Sequence, residues 1–189
     1  MNALAAVVEP ILAPLGFVRF ATVLNRRLGD GFVQVCEIQP SKWIKDQWAF
    51  IDLGVYNSEV ASVLNWSMPD GVVQWGDCEV RDRLRRRNKS EEWPLRSADD
   101  ELVMQTTTAG IHFFRRFESA NQIVDAWSKG TLGSVTVNLV VIVVLAHKIG
   151  NRALAERLLA DEWRSSQGHP ALAAIEGLAH RLGITLPQE

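Results

Sequence analysis

The stretch Gly31 to Asn57, GFVQVCEIQPSKWIKDQWAFIDLGVYN, constrains the fold of this chain most. It reads as two strands joined by a short polar connection, Ser41 to Gln47. Pro40 closes the first strand, because it has no N–H to give to a ladder. In the second strand, Trp48 to Tyr56, side chains alternate between two faces. Ala49, Ile51, Leu53 and Val55 share one face and form a clean core stripe. Trp48, Phe50, Asp52 and Tyr56 share the other, which mixes aromatic rings with one carboxylate. Such a face is either covered by another element or used for binding.

The flanking sequence supplies the other elements. Leu4, Val7, Val8, Ile11, Leu12 and Leu15 follow the spacing of one helix face. Asn2 is a candidate N-cap, Gly16 a candidate stop and Pro10 a candidate kink. Residues 17–28 then read as a strand. Gly29-Asp30-Gly31 is a turn signal, so Phe17–Gln39 is expected to be a β-hairpin. Asp77 to Leu84 reads as a fourth strand and Glu91 to Arg96 as a short extended piece. Asp99 to Phe117 and Ser119 to Ser128 read as helices. Only helices follow Leu132, with Ser134 as the expected cap of Val135–Lys148. The Val and Ile content of that segment leaves a strand open by propensity, and its length favours a helix. Asn151 is expected to cap the next helix, and the last should end before Gly183. The fold expected is α+β: an N-terminal helix, an antiparallel sheet of four or five strands, and a helical C-terminal half packed on one sheet face. Residues 1–130 are expected to form the sheet domain and 131–189 a helical extension packed on it.

Composition narrows the class. A length of 189 residues with 47% hydrophobic and 22% charged residues is enough for a sizeable core. A formal charge of −2 argues against steering to nucleic acid by the field of the whole protein. Cys36 and Cys78 are too few for a disulfide framework or a Cys-rich zinc site and are expected as buried free thiols. The apolar N-terminus lacks a basic leader region and carries Glu9, unlike a signal peptide. The longest apolar run, Val135 to Ala146, falls short of the roughly 20 residues that span a bilayer. A cytoplasmic protein of bacterial type, with no membrane association, is therefore expected.

Two constellations could carry a function. Arg81, Arg83 and Arg85 fall on one side of the fourth strand, a row of guanidinium groups suited to phosphate or carboxylate. The bland account of that row is a charged strand with Asp82, Glu91 and Glu92 as partners. Trp75 and Trp93 flank it and could stack on bases. The second constellation is the face carrying Trp48, Phe50, Asp52 and Tyr56, with Trp43 in the preceding connection; aromatic residues are favoured at protein interfaces. Its bland account is that helix Asp99–Phe117 covers it and Asp52 pairs with an arginine such as Arg19. Glu37 and Asp52 could face each other across adjacent strands, if register allows. The four histidines are isolated, no metal-ligand spacing is present, and no P-loop, GxGxxG or GxSxG pattern occurs. No cofactor is implied.

Several pieces together are similar to a known pattern. Pro14-Leu15-Gly16-Phe17, Gln39-x-Ser41-Lys42-Trp43 and Phe50-x-Asp52-Leu53-Gly54-Val55-Tyr56 resemble the core of a bacterial family, domain of unknown function 4304. Cys78-x-x-Arg81-x-Arg83-Leu84, Trp93 and a helix ending in Phe113-Phe114 are compatible with it. The resemblance covers roughly residues 5 to 130. It implies an α+β fold with an antiparallel sheet and carries no activity or catalytic residues.

Three functional expectations follow. The leading one is a non-enzymatic interaction protein, immunity-like, that binds a protein partner through the sheet face. The alternative is an anion- or nucleotide-ligand protein, or an enzyme, using the arginine row. Nucleic-acid binding comes last. Oligomeric state is left open.

Overall fold

The computed structural model describes residues 2–42, 47–95 and 100–187. In chain order its elements are α1 (Asn2–Leu12), β1 (Val18–Phe20), β2 (Val23–Arg27), β3 (Phe32–Pro40), β4 (Trp48–Asn57), α2 (Ser58–Val63), β5 (Val80–Arg83) and β6 (Glu92–Pro94), then α3 (Asp100–Gln105), α4 (Ile111–Arg116), α5 (Ala120–Ser128), β7 (Thr136–Val137), α6 (Leu139–Lys148), α7 (Arg152–Ser165) and α8 (Leu172–Leu182). The fold is α+β, with an N-terminal helix and an antiparallel sheet. Among the described residues no helix is long and apolar enough to cross a membrane.

The chain forms two units. One comprises Met1–Asn57, Pro69–Glu118 and Ser134–Thr136, and the other Ser58–Met68, Ser119–Gly133 and Val137–Glu189. The helical unit thus draws in α2 and α5 as well as the helices after β7.

The sheet is built on β4. One of its edges pairs with β3 along nine residue pairs, from Phe32 opposite Asn57 to Pro40 opposite Ala49. Asp52–Val55 pairs with β5, and Trp48–Phe50 with β6. The strand order is β1-β2-β3-β4-β5-β7, with β6 beside β4. Seven strands are present among the described residues, where the sequence predicts four or five. Residues 17–28 are not one strand: Ala21 adopts φ 55° and turns β1 back onto β2, with Phe20 opposite Val23. The other addition is β7, too short to leave a periodic signal.

One sheet face carries Gln34, Cys36, Ile38, Ile51, Leu53 and Val55, all buried. Helices α3 and α4, joined by a π-helical turn at Thr106–Gly110, lie on this side. Gln34 makes the attachment. Its Nε2 donates to the carbonyls of Phe114 and Phe117 at the end of α4, and its Oε1 accepts from Arg26 Nη1 at 3.2 Å. Phe17, Phe113, Phe114 and Phe117 form an aromatic cluster there, with Phe17 and Phe114 at 4.6 Å between ring centroids. The helical segment from Asp100 to Phe117 therefore covers the Ile51 face, opposite to the bland expectation for the Asp52 face.

In the helical unit, α6 is buried from Val141 to Ala146. This segment is a helix despite its β-branched content because α2, α5 and α7 surround it and bury more than one face. Its cap is Asn138, whose side chain accepts from Val140 N, and not Ser134. Lys148 pairs with Glu59 of α2 at 2.6 Å. Asn151 caps α7, and α8 ends at Gly183 in a left-handed conformation, both as expected.

Replacing Gln34 by Leu leaves two buried helix-end carbonyls without their donor. The expected loss is about 2 kcal/mol, read in urea unfolding as a lower midpoint with an unchanged m-value.

Candidate functional site

Strand register assembles the site on the second face of β4. Asp52 stands opposite Arg83 on β5 and opposite Glu37 on β3, and Gly54 stands opposite Arg81. Arg81, Arg83, Glu37 and Asp52 therefore share one face. The Glu37–Asp52 pairing that the sequence left to register is thus present.

Gly54 decides what covers this face. A Cβ at that position would lie 2.5 Å from Cys78 Sγ and 3.3 Å from Trp75 Cδ1. Glycine in a strand interior commonly marks such a close approach, and here it lets the 3-10 turn Trp75–Asp77 settle onto the strand. Trp75 is held at two points: its Nε1 donates to Leu53 O at 3.1 Å, and its backbone N–H donates to Glu37 Oε2 at 2.7 Å. Nearby, Asn25 exchanges two hydrogen bonds with the backbone of Val73.

The arginines arrange themselves around Trp75. The Arg81 and Arg83 guanidinium carbons lie 5.2 and 5.3 Å from its ring centroid, and Arg83 also lies 4.3 Å from that of Phe50. Arg83 Nε donates to Asp52 Oδ1 at 2.6 Å and its Nη1 to Glu91 Oε2 at 3.2 Å. Arg85, just past the end of β5, donates from Nη1 to Asp82 Oδ1 at 2.8 Å and from Nη2 to Glu91 Oε1 at 2.9 Å. Arg81 differs: its Nε donates to Cys78 O and its Nη2 to Gly76 O. It has no carboxylate partner among the described residues. The three arginines, Trp75, Asp82 and Glu91, with Ser134 and Thr136, line a cavity of about 250 Å³. Ser134 Oγ donates to Asp82 Oδ2 at 3.0 Å, which is its role in place of the expected helix cap.

The predicted binding residues part company here. Arg81, Arg83 and Arg85 come together at the cavity. Trp48 and Phe50 are half-buried. Asp52 is 0% exposed and Tyr56 4%, so neither offers surface to a partner. Asp52 pairs with Arg83 rather than Arg19, which instead binds Glu9 at 2.9 Å. Trp43 lies outside the described residues. Trp93 cannot stack on a base: it is fully buried, with its Nε1 donating to Leu84 O. Arg86 is taken up by Glu101 at 2.9 Å. Asp82 and Glu91 pair with the arginine row as its bland account expects, and Trp75, expected only as a flanking ring, lies against Arg81 and Arg83 because the interior glycine of β4 admits it.

Burial pushes the Asp52 carboxyl up to about 6, against the pull of Arg83, and its Oδ2 is buried without a hydrogen-bond partner among the described residues. Burial likewise raises Glu79 to about 8, although its Oε2 accepts from Asn57 N at 2.9 Å. Both thiols are buried and free, and burial raises them well above the ordinary thiol range. Among the described residues no group of three or more His, Cys, Asp or Glu is placed to hold a metal ion.

Comparison with family models, with curated proteins and with solved structures gives no match.

Two outcomes are expected from this geometry. Gly54→Ala forces Cys78 and Trp75 away from β4 and lowers stability by about 1–3 kcal/mol in denaturant unfolding. The raised carboxyls hold protons in the folded state that the unfolded chain has released, so they subtract stability as pH rises. Glu79 titrates from 4.5 unfolded to about 8 folded. Glu79→Gln should therefore flatten the melting-temperature profile between pH 5 and 8, where each tenfold difference in proton affinity between the two states is equivalent to about 1.4 kcal/mol.

Proposed function

We propose that this protein is a non-catalytic binding protein that takes a small oxyanion, a carboxylate or a phosphate, in the arginine cavity of β5. The observation that carries this reading is Arg81. Two backbone carbonyls and the Trp75 ring hold its guanidinium, and no carboxylate forms an ion pair with it among the described residues. A guanidinium oriented by neutral acceptors keeps its charge and has already lost much of its side-chain freedom, which favours binding an anion. Its Nη1 has no protein acceptor among the described residues. Binding is favoured over catalysis because Asp52 and both thiols are buried away from the cavity lining.

A protein partner presenting an acidic side chain to the same cavity is the second reading, consistent with an immunity-like role. It is favoured by half-buried Trp48 and Phe50 on the face that carries Arg83, since Trp and Arg dominate interface energetics. Nucleic-acid binding loses support with the burial of Trp93 and the pairing of Arg86. We also propose kinship with the family that the hairpin motifs resemble, which implies the sheet and no ligand.

Titration calorimetry with inorganic phosphate and with succinate tests the first reading. Saturable binding of either is expected, weakened about tenfold or more in Arg81→Gln by loss of a charge-assisted hydrogen bond. If neither anion binds, the small-ligand reading fails and the partner reading takes its place.

A further inference from the structure

Glu91 is the one carboxylate of the cavity that neither cation requires. Arg83 already has Asp52 at 2.6 Å, and Arg85 already has Asp82 at 2.8 Å. Glu91 nevertheless divides its two oxygens between them, accepting from Arg83 Nη1 at 3.2 Å and Arg85 Nη2 at 2.9 Å. One carboxylate bridging two guanidinium groups is the arrangement that a bound anion would adopt. The Glu91 side chain is 36% exposed and sits on an irregular segment just before β6.

Building on the anion-binding reading above, we infer that Glu91 is a built-in competitor, occupying the place of the ligand's charged group. The ligand enters by exchanging with this carboxylate at Arg83 and Arg85. The exchange selects for charge. A monocarboxylate replaces Glu91 bond for bond and gains nothing over a tethered group, whose effective concentration is high. A doubly charged oxyanion of phosphate type brings more charge and additional acceptor oxygens. Cavity electrostatics point the same way. Three guanidinium groups face Asp82 and Glu91 in the lining, with Asp52 and Glu37 on the same sheet face. Displacing Glu91 removes the carboxylate that Arg83 and Arg85 share and leaves both guanidinium groups a free donor for the incoming anion.

The test is phosphate titration of the full chain and of its Glu91→Gln and Glu91→Asp variants, with acetate as the monovalent probe. Glu91→Gln removes the competing charge. Glu91→Asp keeps the charge and draws the carboxylate back by one methylene, so that it no longer reaches both arginines. Competition predicts phosphate affinity higher by about tenfold in Glu91→Gln and about threefold in Glu91→Asp, the scale of one charge interaction near a protein surface. It also predicts no saturation by acetate in the unmodified chain. If Glu91→Asp binds phosphate like the unmodified chain, competition is overturned, whether or not Glu91→Gln binds more tightly. Equal saturation by acetate and phosphate overturns the selection for a dianion. Binding that is saturable and lost in Arg81→Gln, but indifferent to Glu91, removes this inference and keeps the anion-binding reading. The absence of saturable phosphate binding in all three proteins removes the competition proposal, and the succinate titration then decides the wider anion-binding reading.

Discussion

The structure depends on one ion pair. Asp52 sits in the middle of β4, paired on both edges and fully buried. An ionised carboxylate in that position is tolerated only with a cation beside it. Arg83, directly opposite in register, supplies that cation at 2.6 Å. Removing one member of such a pair typically costs about 3–5 kcal/mol, because the other is left buried and uncompensated. Even the intact pair is imperfect, since Asp52 Oδ2 has no hydrogen-bond partner among the described residues and burial holds the group near 6.

The same pair organises the cavity. Arg83 must reach inward to Asp52, which brings its guanidinium over Phe50 and towards Trp75. Trp75 can take its position only because Gly54 has no side chain, and Glu37 anchors its backbone. Three arginines two residues apart thus meet different fates. Arg83 is committed to the interior, Arg85 is bound by two surface carboxylates, and Arg81 is steadied by carbonyls and keeps its charge. Function is read from that difference in partners, since the residue type is the same at all three positions.

Much of the fold was legible in the sequence. Period-2 alternation in Trp48–Tyr56 identified the strand and its core stripe of Ala49, Ile51, Leu53 and Val55, because burial of one face leaves that pattern. Helical spacing and cap residues placed α5, α7 and the end of α8 closely, as hydrogen bonding at helix ends is local, whereas Asn2, expected as a cap, is the first residue of α1 itself. The Ala21 turn was hidden because no glycine marks it, and β7 because two residues carry no periodicity.

The site divides along the same line. The sequence by itself determined that arginines at alternate positions share a strand face, that Asp52 shares a face with Phe50 and Tyr56, and that both cysteines favour the interior. These follow from the geometry of a single strand and from side-chain polarity. Only the tertiary structure decided that Asp52 meets Arg83 rather than Arg19, that a loop bearing Trp75 covers the mixed face, and that Glu91 joins Arg83 and Arg85. Each of those contacts depends on strand register and on a close approach between distant segments. A local pattern of residues carries neither, because register is a property of two strands and their pairing.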